Sequence, residues 1–167
     1  QCSLKQDKFE WVLQKGTELG VTRFVPVVSA RSVVRPAAAL HKKYDRWQAV
    51  LREAVEQCGR SRLPLLAPSI EWPALALPQE CHRFVAWEAA DGAPSLHAAI
   101  TAQPSTSGAA RPGIALLIGP EGGLTADEVA GAAASGWQVV SLGPRILRAE
   151  TAALAAVTMA LTAAGEF

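Results

Sequence analysis

Two loops that contain Gly-Pro dominate the C-terminal third of the sequence: LIGPEGGLTADEV (residues 117–129) and SLGPRILRAETAAL (residues 141–154). In each, a short apolar run typical of a buried strand ends at Gly-Pro, and a helical pattern follows. Ligands of open α/β sheets bind beyond the carboxyl ends of the strands, where such loops lie. The two loops therefore predict a pocket built largely from backbone. Near the Gly-Pro turns, the first loop carries Glu121 and the second carries Arg145, Arg148 and Glu150.

Outward from these loops, the sequence alternates between strand and helix periodicity. Helices are predicted at residues 7–19, 41–58, 95–100, 125–136 and 150–164, the fourth of them opened by a Thr125–Glu128 capping box. Strands are predicted at residues 22–28, 64–70, 82–87, 114–118 and 137–142. This alternation predicts one α/β domain over residues 1–167, with a mainly parallel sheet flanked by helices.

The composition is that of a soluble globular protein, with 50% hydrophobic and 19% charged residues. The longest nearly apolar stretch, residues 152–164, is too short to cross a bilayer, so no membrane partner is expected. The three cysteines show no CxxC spacing and the three histidines no ligand spacing. We therefore expect reduced thiols, a cytoplasmic location and no metal site.

Charge is unevenly distributed along the chain although the net charge is only +1. Residues 1–62 hold twelve Lys and Arg against six Asp and Glu, whereas the remainder holds four against nine. A basic half predicts a polyanionic partner such as nucleic acid. The pattern fits equally well with Lys and Arg that only solvate two surface helices.

Common nucleotide and hydrolase motifs are missing from the sequence. GPEGG is not G-x-G-x-x-G, and neither G-x-x-x-x-G-K-[ST] nor G-x-S-x-G occurs. Dinucleotide binding, P-loop chemistry and serine hydrolysis are therefore not predicted.

Three further segments, with the two Gly-Pro loops, resemble a known family: KFEWVLQKGTELGV (residues 8–21), RSVVR (residues 31–35) and RWQAVLREAVEQCGRSRLP (residues 46–64). From about residue 5 to residue 161 the chain is similar to the RsmE-type methyltransferases of the SPOUT superfamily, which methylate N3 of a uridine in small-subunit ribosomal RNA. Two departures are Ala149, where the family usually has Thr, and Cys58, where a small residue is common.

The resemblance implies a C-terminal trefoil knot whose loops hold S-adenosylmethionine, and a homodimer with active sites at the subunit interface. The family also has a small N-terminal RNA-binding barrel, which corresponds to nothing here, so we expect this sequence to be the methyltransferase domain of a longer protein. We expect the dimer to form through small apolar residues of the last helix: Ala153, Ala156, Val157, Ala160 and Leu161.

The resemblance also implies site residues. The expected cofactor contacts are Trp87, Glu88, Ile118, Gly119, Pro120, Gly123, Ser141, Leu142, Gly143, Leu147 and Thr151. The expected RNA contacts are Arg31, Arg35, Arg60 and Arg62. Arg148 is the candidate for stabilising charge on the uracil, and Glu121 or Glu150 for accepting its proton. Alternatively, Arg148 forms a salt bridge with Glu121 or Glu150, and either carboxylate caps a helix or binds a loop amide.

Two other functions are compatible with these motifs. A SPOUT methyltransferase could act on another RNA or another atom. A catalytically silent RNA-binding or assembly module could keep the fold. Intact GPEGG and LRAET loops argue against the silent module.

Overall fold

The computed structural model describes residues 6–74, 81–103 and 112–166. Its α-helices are α1 (Gln6–Leu19), α2 (Tyr44–Cys58), α3 (Leu96–Thr101), α4 (Ala126–Ala134) and α5 (Ala149–Ala164). Its strands are β1 (Arg23–Phe24), β2 (Val27–Val28), β3 (Leu65–Leu66), β4 (Ile70–Glu71), β5 (His82–Ala86), β6 (Ile114–Ile118) and β7 (Gln138–Val140). A 3₁₀ helix, Ala37–Lys43, precedes α2.

Every strand pair among the described residues is parallel, which confirms the predicted α/β class. The largest sheet has the order β6-β5-β7, with His82 opposite Ile114 and Phe84 opposite Gln138. Two smaller sheets pair β1 with β3 and β2 with β4. Because β5, β6 and β7 run in the same direction, the loops that follow them meet at one edge of the sheet.

The strand predicted at residues 22–28 is interrupted at Val25-Pro26. Proline has no N–H to donate to a ladder, so the chain pairs on either side of it. The carbonyl of Phe24 accepts from the amide of Ala67 at 2.9 Å, and that of Pro26 accepts from Ile70 at 3.0 Å. The predicted strand at residues 64–70 is divided correspondingly into β3 and β4.

The main core lies where α1, α2 and α5 pack together beside the large sheet. Phe9 of α1 and Trp47 of α2 are both buried, with ring centroids 4.6 Å apart. From α5, Ala153, Ala156 and Ala160 enter the same core and are at most 5% exposed. This corrects one sequence prediction: these three alanines pack within the chain, so they are not free to face a second copy.

The capping box predicted at α4 is present. The Thr125 hydroxyl accepts a hydrogen bond from the Glu128 amide at 3.2 Å, and Oε2 of Glu128 accepts from the Thr125 amide at 2.9 Å. Two orphan donors of the first turn are thereby satisfied. The cap fixes where the loop that follows β6 ends.

The described part of the chain was predicted to contain no membrane-spanning helix and no metal site, and its cysteines were predicted to be reduced. Across residues 6–74, 81–103 and 112–166, no helix has both the length and the apolarity needed to span a bilayer. The same residues contain no group of three or more His, Cys, Asp or Glu able to hold a metal ion. Cys58 and Cys81 are free thiols. Burial raises the pKa of Cys81 against the opposing charge of Arg83.

Candidate active site

A cleft of about 290 Å³ lies beyond the carboxyl ends of β5, β6 and β7. Its walls are the residues that follow β5 and the two Gly-Pro loops that follow β6 and β7. Ten of the predicted cofactor contacts line it: Trp87, Glu88, Ile118, Gly119, Pro120, Gly123, Ser141, Leu142, Gly143 and Leu147. Thr151 is exposed in the first turn of α5 and does not line the cleft.

Glycine is required at specific points of the first loop. The amide of Gly123 donates to the carbonyl of Pro120 at 2.9 Å, which closes a tight turn. Gly123 has φ of +71°, and a Cβ there would collide with Oε1 of Glu88. A Cβ on Gly119 would lie 3.2 Å from the backbone nitrogen of Leu124. Side chains at these two positions would therefore prevent the loop from packing as closely as it does against Glu88 and Leu124.

The second loop is anchored at its start and exposed at its centre. Ser141 donates its amide to the carbonyl of Pro94 and accepts from Leu96, both at 3.0 Å. The Gly143 amide donates to the Ser141 hydroxyl at 3.1 Å, with Gly143 at φ of +112°. Beyond it, Arg145 is exposed, and Ile146 is 85% exposed.

A lysine that the sequence prediction did not select joins the site. Lys8 of α1 lines the cleft, and its Nζ lies 3.7 Å from Oε1 of Glu121 and 3.3 Å from Oε2 of Glu150. The three side chains are 16% to 30% exposed. Lys8 lies inside the family-like segment at residues 8–21, but no spacing relates it to residues more than a hundred positions away.

These contacts set the charge state of Glu150. Burial acts to raise its pKa, but hydrogen bonds from its own backbone amide and from Lys8, with the charges of Lys8 and Arg148, outweigh burial and lower the pKa. Its position in the first turn of α5 also favours the anion, because the N-terminal end of a helix carries partial positive charge. Glu150 is therefore ionised at neutral pH.

Arg148 is positioned differently from the alternative raised by the sequence. Among the described residues no ion pair within 4 Å joins it to Glu121 or Glu150, although its charge helps to lower the pKa of Glu150. Arg148 is the N-cap residue of α5, and its side chain is exposed at the cleft. The guanidinium thus lies where it can reach a bound molecule.

The segment that contains Arg31 and Arg35 lies against the first loop. Nη1 of Arg31 donates to the Gly122 carbonyl at 3.0 Å, and the Ala30 amide donates to Oε1 of Glu128 at 2.8 Å. Nη1 of Arg35 donates to the Ala30 carbonyl at 2.8 Å. Two predicted RNA contacts are therefore brought next to the predicted cofactor loop.

Arg60 and Arg62 differ in their surroundings. The Arg60 guanidinium donates to the carbonyls of Thr17 at 2.7 Å, Val21 at 2.8 Å and Gly20 at 3.4 Å. It thus ties together the backbone at and just beyond the end of α1, where the Thr17 carbonyl also accepts from the Gly20 amide at 3.1 Å. Arg62 is exposed. An RNA contact by Arg60 stays a prediction, but the residue also holds the fold together.

The sequence matches the family model described as RNA methyltransferase domain over residues 1–161. The ribosomal RNA small subunit methyltransferase E of Bacillus subtilis (strain 168) is 39% identical over 157 residues, which cover 92% of this chain. Its counterpart from Synechocystis sp. is 36% identical over 154 residues, or 89% of this chain. The chain spans 60% of the first protein and 47% of the second.

Solved structures show the same similarity. A Legionella pneumophila methyltransferase in complex with SAM has a TM-score of 0.83 and 31% identity, covering 98% of this chain and 64% of that one. A ribosomal RNA small subunit methyltransferase E from Neisseria gonorrhoeae, bound to S-adenosyl methionine, has a TM-score of 0.75 and 37% identity, covering 96% and 63%. The fold and the match over residues 1–161 agree: this chain belongs to the RNA methyltransferase domain family.

Proposed function

We propose that this chain is the S-adenosylmethionine-dependent catalytic domain of an enzyme that methylates N3 of a uridine in small-subunit ribosomal RNA. The observation that carries the proposal is the cleft itself. Two glycine-containing loops enclose it with backbone, and Arg148 and Glu121 line it together. Relatives that carry the ribosomal RNA methyltransferase name support the choice of substrate.

The cleft suits a ligand that binds mainly through backbone groups. Gly143 lines the cleft, and a Cβ on it would meet no protein atom within 4 Å, so the loop leaves open space at this point. Apolar walls such as Leu142 and Leu147 can enclose an adenine ring, while loop amides and carbonyls pair with its polar edges. S-adenosylmethionine supplies an electrophilic methyl group when bound there.

Arg148 stabilises the uracil as its imide proton leaves. N3 of uracil is protonated and poorly nucleophilic at neutral pH, and deprotonation spreads negative charge onto O2 and O4. A guanidinium fixed at that position offsets the developing charge without reorganising solvent. Arg148 is exposed at the cleft, so its N–H donors are accessible to the substrate.

Glu121 is the favoured proton acceptor. It lies on the lip of the cleft and is less buried than Glu150, with its side chain 23% against 16% exposed. The lowered pKa of Glu150 makes that carboxylate a poor proton acceptor. Glu150 then has mainly a structural part, in its ion pair with Lys8. In this assignment Glu121 would accept the N3 proton, and N3 would take the methyl group from the sulfonium of S-adenosylmethionine, whose S–CH3 bond would break to leave S-adenosylhomocysteine.

RNA docks on the basic segments beside the cleft. We expect Arg62→Ala to weaken RNA binding and to reduce the slope of log affinity against log salt by about one phosphate contact, with little change in rate at saturating RNA. Filter binding across a salt series measures both quantities. Arg52→Ala, an exposed arginine of α2 outside the predicted contacts, is the matched control. An unchanged slope in Arg62→Ala would show that Arg62 does not contact RNA.

Arg60→Ala is less informative, because it also removes the donor to carbonyls at the end of α1.

The chain acts as a homodimer through the outer face of α5. Leu154, Val157 and Leu161 stay partly exposed there, at helical spacing, after the alanines have packed inward. We expect light scattering at micromolar concentration to give the dimer mass. Val157→Glu should give a folded monomer, because it places a charge in an apolar contact. Thr158→Glu is the control, because it adds the same charge to α5 and keeps Val157. A monomeric parent chain would refute the dimer.

Two finer features complete the proposal. The first is that the loops after β6 and β7 form a trefoil knot, as the family resemblance implies. The second is that the protein works in the cytoplasm, where ribosomes are assembled. The strand order β6-β5-β7, with β5 central, supports loops that cross close together. A crystal structure in which the traced chain cannot be reduced to an unknotted line tests the first feature.

The experiment that tests the function is direct. Methylation at N3 blocks the Watson–Crick edge of uracil, so reverse transcriptase stops at the product. Small-subunit RNA from a strain that lacks the gene should lose one such stop, and the full-length protein with S-adenosylmethionine should restore it. Calorimetry with S-adenosylmethionine alone separates an enzyme from a silent module. Restoration of a stop elsewhere, or no stop, would reject the assignment.

A further inference from the structure

A cation from the first turn of α1 lies between the two loops of the cleft. Lys8 pairs with Glu121 of the loop after β6 and with Glu150, which follows the loop after β7. Resting on the methyltransferase function proposed above, we infer that Lys8 is a positioning residue that holds these two loops at the separation needed to bind S-adenosylmethionine.

The electrostatics of the three side chains support a mechanical role. Each carboxylate lies within 4 Å of the ammonium, in a place where all three side chains are at most 30% exposed. Partial burial strengthens such pairs relative to those at an open surface. With a neutral side chain at position 8, the two carboxylates would lose the cation that they share, and like charges in one site repel. The two loops would then tend to separate.

A direct contact between Lys8 and the ligand is the competing role, because Lys8 also lines the cleft. The ammonium already faces two carboxylates. A third anion, such as the carboxylate of a methionine moiety, would have to compete with Glu121 and Glu150 for that ammonium. The geometry therefore favours an effect on the whole pocket over recognition of one ligand group.

Two ligands separate these roles. S-adenosylhomocysteine keeps the amino-acid carboxylate, whereas 5′-methylthioadenosine lacks it, and both have a neutral thioether. We expect Lys8→Met to weaken both roughly tenfold by calorimetry, which is about 1.4 kcal/mol. Lys8→Arg should restore most of the affinity, because it keeps the charge. Lys15→Met is the matched control, since Lys15 lies on the same helix and pairs with Glu18 at 2.8 Å, outside the cleft.

Each result decides the inference. Equal losses for both ligands with rescue by arginine support it, whereas a loss confined to S-adenosylhomocysteine or no loss at all overturns it. If Lys8→Met does not fold, Glu150→Gln breaks the shorter pair, at 3.3 Å, from the other side and should likewise weaken both ligands; unchanged binding would overturn the inference. A parent chain that binds neither S-adenosylmethionine nor these ligands rejects the proposed function itself, which is a different failure.

Discussion

Arg148→Ala should lower the single-turnover rate of methyl transfer roughly 100-fold to 1,000-fold, the usual loss when one donor to a developing anion is removed. RNA affinity should remain nearly unchanged. The reason is that negative charge on O2 and O4 appears only as the N3 proton leaves, so the guanidinium acts in the transition state and hardly in the ground state. The exposed position of Arg148 at the cleft, apart from the Lys8 ion pairs, leaves it available for this contact.

The measurement uses full-length protein at saturating RNA and S-adenosylmethionine, with the reverse-transcriptase stop as the product signal. Arg145→Ala is the matched control, because Arg145 is an exposed arginine of the same loop. A general loss of positive charge would affect both variants, whereas a role in the chemistry affects Arg148→Ala far more. If Arg148→Ala keeps the full rate, its catalytic assignment fails. Proton abstraction by Glu121, without help from Arg148, then becomes the better account.

Local signals in the sequence predicted much of the fold. The apolar run at residues 114–118 is β6 with the predicted bounds, and the Thr125–Glu128 box caps α4 as predicted. Helix α3 begins after Ser95, whose hydroxyl accepts from the amide of Ala98. Such features depend on residues three or four positions apart, so a sequence displays them directly.

Features that depend on distant contacts were not predictable in the same way. Apolar spacing on α5 revealed a face of small residues, but not whether α1 and α3 of the same chain or a second copy would cover it. Likewise, the positive charge of Arg60 suggested RNA, although its guanidinium lies on the carbonyls that end α1. Charge and size predict that a side chain needs a partner; tertiary structure determines which one.

The residues of the cleft also divide into those that local sequence signals revealed and one, Lys8, that they did not. Residues in the two Gly-Pro loops were found because strand, turn and helix signals follow one another there, and the edge of a parallel sheet brings the loops together. Lys8 lies more than a hundred positions away and has an ordinary helical context. Only the packing of α1 beside α5 brings its ammonium between Glu121 and Glu150.

Gly143→Val should abolish most of the affinity for S-adenosylmethionine, with a loss of more than tenfold by calorimetry. Gly143 lines the cleft, and a Cβ there would meet no protein atom within 4 Å, so we expect the new side chain to take up open space that the proposed ligand would otherwise occupy. The φ of +112° adds a backbone cost, because a β-branched residue at positive φ is strained by about 1–3 kcal/mol. Thermal stability should therefore fall as well. Binding data alone would not show whether affinity is lost because the protein is less stable or because the pocket is blocked.

Gly136→Val separates the two effects. Gly136 has φ of +83°, and its Cβ would also meet nothing within 4 Å, but it follows α4 and does not line the cleft. Both variants should lose similar stability, since both place valine in the same unfavourable region of backbone space. Only Gly143→Val should lose ligand affinity when the two folded proteins are compared at a temperature well below either unfolding midpoint. Equal affinities would mean that the ligand does not approach the second Gly-Pro loop, and the cleft would then have to bind it through the first loop and Glu88 alone.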